Sequence, residues 1–246
     1  MRYLVIGATS GIAKAISRIW VSRDGEAEFV LVGRNASALD AAAADLQVRN
    51  PNAKCQVFSL DLTDPTAIGR LESQLGSVGR IDVALLAHGE LTDQTLAQTD
   101  PITLANSLTV NATSVAVLAE MSARLMEKSG GGKLVVIGSV AGDRGRKTNY
   151  SYGAAKALLD TYVRGMQHRF AGGNVQPILI KPGPTATPMT AGMPGASKMA
   201  SPDKVAADIV KGIDGDKATV YTPGIWKLIM LVVRMIPAPI FNKLNF

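Results

Sequence analysis

"YLVIGATSGIAKAI", Tyr3 to Ile16, sets a short apolar run before a glycine turn and a segment of helical period. Apolar residues without alternation, Tyr3 to Ile6, read as a strand covered on both faces. Ile12, Ile16, Ile19 and Trp20 share one face of the segment that follows, as in an amphipathic helix. Between strand and helix, Gly7, Gly11 and Ala13 give the spacing GxxxGxA. Glycines allow a tight turn and close backbone approach, and the first N–H groups of a helix favour an anion. The turn therefore suits a pyrophosphate held by Gly7, Thr9, Ser10, Gly11 and Ile12, against the plainer reading of a strand-to-helix turn without ligand.

Outward from that stretch the same rhythm continues: "EFVLVG" then "ASALDAAAADLQ", "CQVFSL", "IDVALLA", "GKLVVIGS", "VQPILIKPG" and "ATVYTP". Seven such runs, alternating with helical segments, predict an α/β fold. The expected form is a single Rossmann-like, doubly wound domain over residues 1–246, its seven-stranded sheet mainly parallel with helices on both faces. Two segments break the rhythm. Residues 181–203, dense in Pro, Gly, Ser, Thr and Met, predict a lid, and residues 225–246 form an apolar tail.

A chain of 246 residues, 47% apolar, can bury one sizeable core. The lone Cys55 leaves no internal disulfide, and a strand beginning directly after Met1 leaves no room for a secretion signal, so a cytoplasmic location is expected. A net charge of +6 suits an anionic cofactor, an acidic carrier protein, a lipid surface or nucleic acid. Nucleic acid is disfavoured because the basic residues are scattered and only 5% of residues are aromatic. His88 and His168 lack partners at ligand spacing, so no metal site is expected.

The end of the second strand carries Gly33, Arg34 and Asn35. NAD sites commonly present a carboxylate about 20 residues after the glycine turn, whereas an arginine fork fits a 2′-phosphate. Arg34 therefore favours NADP(H), with NAD(H) left open; as a solvated surface residue it would mean nothing. Asp61, in "SLDLTD", is placed to accept from an adenine amino group, or with Asp64 to cap a helix.

In "NYSYGAAKALLD", Lys156 lies one helical turn beyond Tyr152, on a stripe continued by Leu159, Val163 and Met166. A buried ammonium is costly unless paired, but beside a phenol it would lower the tyrosine pKa toward the working range. The alternative is a core-edge tyrosine with a snorkelling lysine. Ser139 ends the strand "KLVVIGS", where open α/β sheets bind ligands. Asn111 shares the stripe of Leu104, Leu108, Val115 and Leu118, and its amide needs partners whether it is catalytic or a helix-to-loop clamp.

Together, GxxxGxA, Asp61, Asn111, Ser139, Tyr152-x-x-x-Lys156 and the Pro182-Gly183 turn resemble the short-chain dehydrogenase/reductase family across essentially the whole chain. The resemblance implies that Tyr152 is the general acid or base and that Ser139 orients the carbonyl or hydroxyl. It implies that Lys156 binds the nicotinamide ribose and tunes Tyr152, and that Asn111 holds a relay water. Asp61 and Leu62 would border adenine, Ala87 and Gly89 the adenosine side, and Pro182, Gly183 and Thr185 the carboxamide. A homodimer or homotetramer is implied as well. Two departures stand out: Ala87-His88-Gly89 replaces the usual Asn-Ala-Gly, and Ala13 replaces the last glycine of the turn.

The expected activity is an NADPH-dependent ketoreductase, with hydride reaching a carbonyl carbon, Tyr152 giving the proton and Ser139 stabilising the oxyanion. Arg144, Arg146 and Lys147, between Ser139 and Tyr152, would meet an anionic head group unless they are ordinary solvated charges. Met189, Met193 and Met199 give the lid adaptable apolar side chains. In the tail "IWKLIMLVVRMIPAPIFNKLNF", Lys227 and Arg234 share one narrow stripe. The uninterrupted apolar run is too short for a membrane span, so the tail should be covered by its own core, a partner subunit or the inner membrane interface.

Tail, basic loop and "LLAHGELTD" are together similar to the decaprenylphosphoryl-2-keto-ribose reductase branch of that family. That branch implies a lipid-linked keto-sugar substrate and a flavin oxidase partner. Two rivals remain: a 3-oxoacyl-carrier-protein reductase or other carbonyl reductase, and a non-catalytic NADP(H)-binding regulator.

Overall fold

The glycine turn links β1 (Arg2–Ile6) to α1 (Gly11–Arg23) in a computed structural model that describes residues 1–193 and 195–244. Pro194 of the lid and Asn245 and Phe246 of the tail lie outside the described residues. The first half continues through β2 (Glu28–Gly33), α2 (Ala36–Arg49), β3 (Lys54–Ser59) and α3 (Pro65–Leu75). The second half runs β4 (Val83–Leu86), α4 (Gln94–Thr99), α5 (Pro101–Leu108), α6 (Ser114–Lys128), β5 (Gly132–Ile137) and α7 (Tyr150–Arg169). It ends with β6 (Val175–Pro182), α8 (Pro202–Asp214), β7 (Thr219–Thr222), α9 (Ile225–Met235) and α10 (Ala238–Phe241).

The strand order is β3-β2-β1-β4-β5-β6-β7, and all six pairings are parallel. Both faces are covered, which is why the strands read as unbroken apolar runs. Tyr3 and Val5 of β1 pack toward Ile16 of α1, Leu39 of α2 and Ile209 of α8. Leu4 and Ile6 pack the other way, toward Leu71 of α3, Leu118 of α6 and Leu159 of α7. Local chemistry fixes where the helices start. Ser10, Asn35, Asp64 and Ser201 cap α1, α2, α3 and α8, and Pro65 and Pro202 open their helices.

Successive crossovers leave β1 and β4 in opposite directions, opening a crevice at the carboxyl ends of the strands. Above that crevice lies the loop from Gly183 to Ser201. It is shorter than the predicted lid, because β6 extends to Pro182 and α8 begins at Pro202. Thr190 Oγ1 staples the loop by donating to the Thr185 carbonyl at 2.6 Å, and Thr185 bridges to Ala200.

In the tail, α9 buries Met230, while Ile225, Leu228, Leu231, Val232 and Met235 are each more than half exposed. Its own core covers only one edge of this helix.

Candidate active site

A cleft of about 400 Å³ runs along the crevice from Arg34, past the start of α1, to Tyr152 and the loop. Gly7 sits at its base with φ +79°, and a Cβ there would fall 2.4 Å from the backbone nitrogen of His88. That crossing requires glycine as firmly as a pyrophosphate would. Ser10 Oγ accepts from the Ala13 N–H at 3.1 Å as the α1 cap. Every cofactor position read from the sequence lines the cleft except Asp61.

Asp61 is exposed, and its Oδ1 accepts from the Thr63 N–H at 2.8 Å and the Thr63 hydroxyl at 2.7 Å. Those bonds, with a smaller contribution from Arg34, hold its carboxyl below the usual range. Its side chain shapes the turn before α3 and does not line the cleft. Arg34 is exposed at the end of β2, with no ion pair or side-chain hydrogen bond among the described residues.

His88, at the departure from the family pattern, is half-buried in the cleft wall. Its Nε2 lies 3.0 Å from Ser114 Oγ, which donates its own proton to the Val110 carbonyl at 3.1 Å. The imidazole therefore donates through Nε2–H, and among the described residues the buried Nδ1 has no partner. Burial first, then the charges of Lys156 and Arg34, push its pKa down to about 3.

At the end of β5, Ser139 caps a short 3₁₀ turn, Val140–Asp143, by accepting from the Ala141 N–H at 3.1 Å. Its hydroxyl proton remains free for the Tyr152 phenol, which lines the same cleft. Lys156 is 3% exposed, donates to the Ile137 carbonyl at 3.1 Å, and stands 5.6 Å from the Tyr152 ring centroid. The expected acidification of the phenol by this ammonium is not found. Burial raises the Tyr152 pKa, the Ser139 hydrogen bond opposes it, and Lys156 itself is lowered by burial to about 8. Desolvation outweighs the neighbouring charge because the ammonium is directed to a carbonyl beside the ring, and both groups are deep.

Three other candidate residues do not line the cleft. Asn111 does not line the cleft: it sits in a π-helical turn, Thr109–Thr113, between α5 and α6. Its amide donates to the Ser107 carbonyl at 3.0 Å and accepts from the Glu90 N–H at 2.9 Å, which makes it the clamp between helix and loop. Arg144 turns away to the tail, where Nη1 donates to the carbonyls of Val233 at 2.8 Å and Ile236 at 2.6 Å, and its guanidinium lies 3.8 Å from the Phe241 ring centroid. The free carbonyls at the end of α9 attract it more strongly than an open loop would. Lys147 is exposed outside the cleft.

Arg146 and Met189 do line it, joined by Met193 and by Asn149, a residue the sequence did not single out; Met199 does not. Among the described residues, Arg146 Nε and Asn149 Oδ1 are buried without partners, and burial lowers the Arg146 pKa. Trp226 of α9 lies where a Gly183 Cβ would be, 2.0 Å from its Nε1, so the tail rests on the Pro-Gly turn. Among the described residues no three His, Cys, Asp or Glu side chains converge as a metal site would need.

A parallel, doubly wound sheet with a glycine turn at its switch point and a serine, tyrosine and lysine converging in one cleft defines a dinucleotide-binding α/β oxidoreductase. The chain belongs to the short-chain dehydrogenase family, whose profile matches residues 2–196. It is 30% identical over 241 residues to an uncharacterized oxidoreductase in the mprA 5′ region of Streptomyces coelicolor, covering 98% of this chain and 94% of that one. It is 34% identical over 220 residues to the uncharacterized oxidoreductase Rv2073c of Mycobacterium tuberculosis, covering 89% and 88%. A short-chain dehydrogenase from Sphingobium yanoikuyae, solved in complex with NADPH, shares the fold with a TM-score of 0.83 at 22% identity, covering 100% of this chain and 97% of that one.

Proposed function

We propose that this chain is an NADP(H)-dependent ketoreductase in which Tyr152 protonates the oxygen of a reduced carbonyl. The observation that carries it is the convergence of Ser139, Tyr152 and buried Lys156 in one cleft reaching to Arg34. The cleft fits a dinucleotide: Gly7 leaves bare backbone before α1, and Arg34 offers an unpaired fork for a 2′-phosphate.

In this reading the start of α1, at Gly11 and Ile12, holds the pyrophosphate, and Leu62 and Ala87 border the adenosine. Lys156 holds the nicotinamide ribose, and Pro182, Gly183 and Thr185 meet the carboxamide. Bound there, the cofactor supplies hydride. The chain's residues manage the proton. Ser139 directs its hydroxyl at the carbonyl oxygen, and Tyr152 passes its phenolic proton to that oxygen. A phenol kept protonated by burial suits a proton donor. Asn111 acts behind the site by fixing the π-turn against the loop after β4.

For the substrate we propose a keto-sugar carried on a polyprenyl phosphate. Arg146 supports this as an unpaired, partly buried cation near Tyr152, and Met189 and Met193 give the loop an adaptable apolar surface. The branch likeness supports it too, and adds a flavin oxidase as the source of the keto group. The exposed apolar side chains of α9, with Lys227 and Arg234, support a peripheral contact with the inner face of the membrane, and the family likeness supports a homodimer or homotetramer.

A second reading, a 3-oxoacyl-carrier-protein reductase, is favoured by one relative, the 3-oxoacyl-[acyl-carrier-protein] reductase FabG of Salmonella typhimurium, 28% identical over 192 residues. A regulator without chemistry leaves the Ser139, Tyr152 and Lys156 set unused. The test follows NADPH consumption with membrane lipid pre-oxidised by a flavin oxidase, and separately with an acetoacetyl thioester. Consumption only with the oxidised lipid is the expected result. Consumption only with the thioester favours the carrier-protein reductase, and none with either contradicts both substrates.

A further inference from the structure

In "QPILIKPG" Lys181 is the only charged residue of β6, and it is 1% exposed. Strand alternation puts it on the side of Leu179, beneath α7. Its ammonium donates to Asp143 Oδ1 and, at 3.1 Å, to Asp160 Oδ1. Tyr221, its lateral neighbour on β7, donates to Asp143 Oδ2 at 3.1 Å, and Arg164 pairs with Asp160 Oδ2 at 3.3 Å. Two cations and two carboxylates cancel.

The cluster joins the parts of the candidate site. Asp143 closes the turn that Ser139 caps, Asp160 lies one turn beyond Lys156 on α7, and Lys181 directly precedes Pro182 and Gly183. Turn and helix touch backbone to backbone: a Cβ on Gly142 would fall 2.8 Å from the Ala157 nitrogen, and one on Gly153 2.9 Å from the Ala141 oxygen. A shift of the turn therefore passes straight to the helix. Buried ion pairs add little stability over apolar residues of the same shape, so stability alone does not account for this one.

We infer that Lys181 is a positioning residue, whose ion pairs to Asp143 and Asp160 hold the Ser139 turn in register with the Tyr152 helix. Its consequence for catalysis rests on the ketoreductase reading; its geometry does not.

The test compares the wild type with Lys181→Met and with the double variant Lys181→Met/Asp143→Asn. The double variant leaves no bare buried charge, because Asp160 keeps Arg164. Tyrosinate absorbance is titrated in each apo-protein and its Tyr152→Phe counterpart, and the difference isolates Tyr152. Displacing Ser139, whose hydroxyl opposes the effect of burial on Tyr152, should move the Tyr152 midpoint to higher pH. Lys156, His88, Arg34 and Arg146, the other titratable or charged groups lining the cleft, stay unchanged, so a moved midpoint reports on Ser139. With 2,3-butanedione as the carbonyl, kcat should fall about 100-fold while the NADPH dissociation constant stays within about 3-fold. A folded double variant with an unmoved Tyr152 midpoint overturns the inference. A wild type that binds no NADPH contradicts the ketoreductase reading instead, because the titration uses neither cofactor nor substrate.

Discussion

Lys156 donates at 3.1 Å to the carbonyl of Ile137, the last residue of β5, and its charge is thereby fixed beside Tyr152 in a buried setting. The lowering from 10.5 to about 8 disfavours the charged form in the fold. Below pH 8 both folded and unfolded chains hold the proton, and the fold bears a penalty of about 3 kcal/mol. Replacing Lys156 by Met should therefore raise thermal stability at pH 7 by about 2 kcal/mol once a lost hydrogen bond is counted, while abolishing reductase activity. The wild type regains stability as pH rises from 8 toward 10.5, so the gap should narrow there. A variant that melts lower at pH 7 contradicts this.

His88 carries the opposite pH window. Its pKa is about 3 in the fold and 6.5 when unfolded, so the unfolded chain takes up the proton first and stability is lost as pH falls below 6.5. His88→Asn removes that group. Melting curves at pH 7 and pH 5 should show the wild type losing about 2 kcal/mol more than the variant. Equal losses would mean that the imidazole is not held neutral by burial.

Arg34 should decide between the two dinucleotides. Titrating Arg34→Ala with each cofactor should weaken NADPH binding about 10- to 100-fold, the worth of charge-assisted hydrogen bonds to one phosphate, and leave NADH nearly unchanged. Tighter binding of NADH than NADPH by the wild type would reverse the assignment.

Gly183→Ala tests the seat of the tail. The added carbon would fall 2.0 Å from Trp226 Nε1, so the indole must leave. Trp20 is buried in the core, so a red shift in tryptophan emission reports Trp226 moving into water. An unshifted spectrum would place the indole elsewhere.

Much of this architecture is legible in the sequence, because a parallel sheet covered on both faces writes each strand as an unbroken apolar run. The stripe from Tyr152 through Lys156, Leu159 and Val163 is equally plain, since the helical period reports facing residues. What sequence cannot show is which partner a polar group meets. Arg144 sits in the same basic loop as Arg146, yet it caps α9 while Arg146 lines the cleft. Asp61 and Asn111 each admit two readings in the sequence, and their side chains are held by local hydrogen bonds. Asp143, Asp160 and Lys181 lie far apart in the chain and become a cluster only when α7 lies over β6. The direction of the Tyr152 shift depends on depth, and depth is a property of the packed molecule.

The most direct measurement takes Tyr152→Phe, which keeps the ring and removes only the hydroxyl. Single-turnover oxidation of bound NADPH by an accepted carbonyl should slow by about 10²- to 10⁴-fold, the worth of one positioned proton donor, while NADPH affinity stays at the wild-type value. Hydride transfer at the wild-type rate in Tyr152→Phe would show that the proton comes from elsewhere.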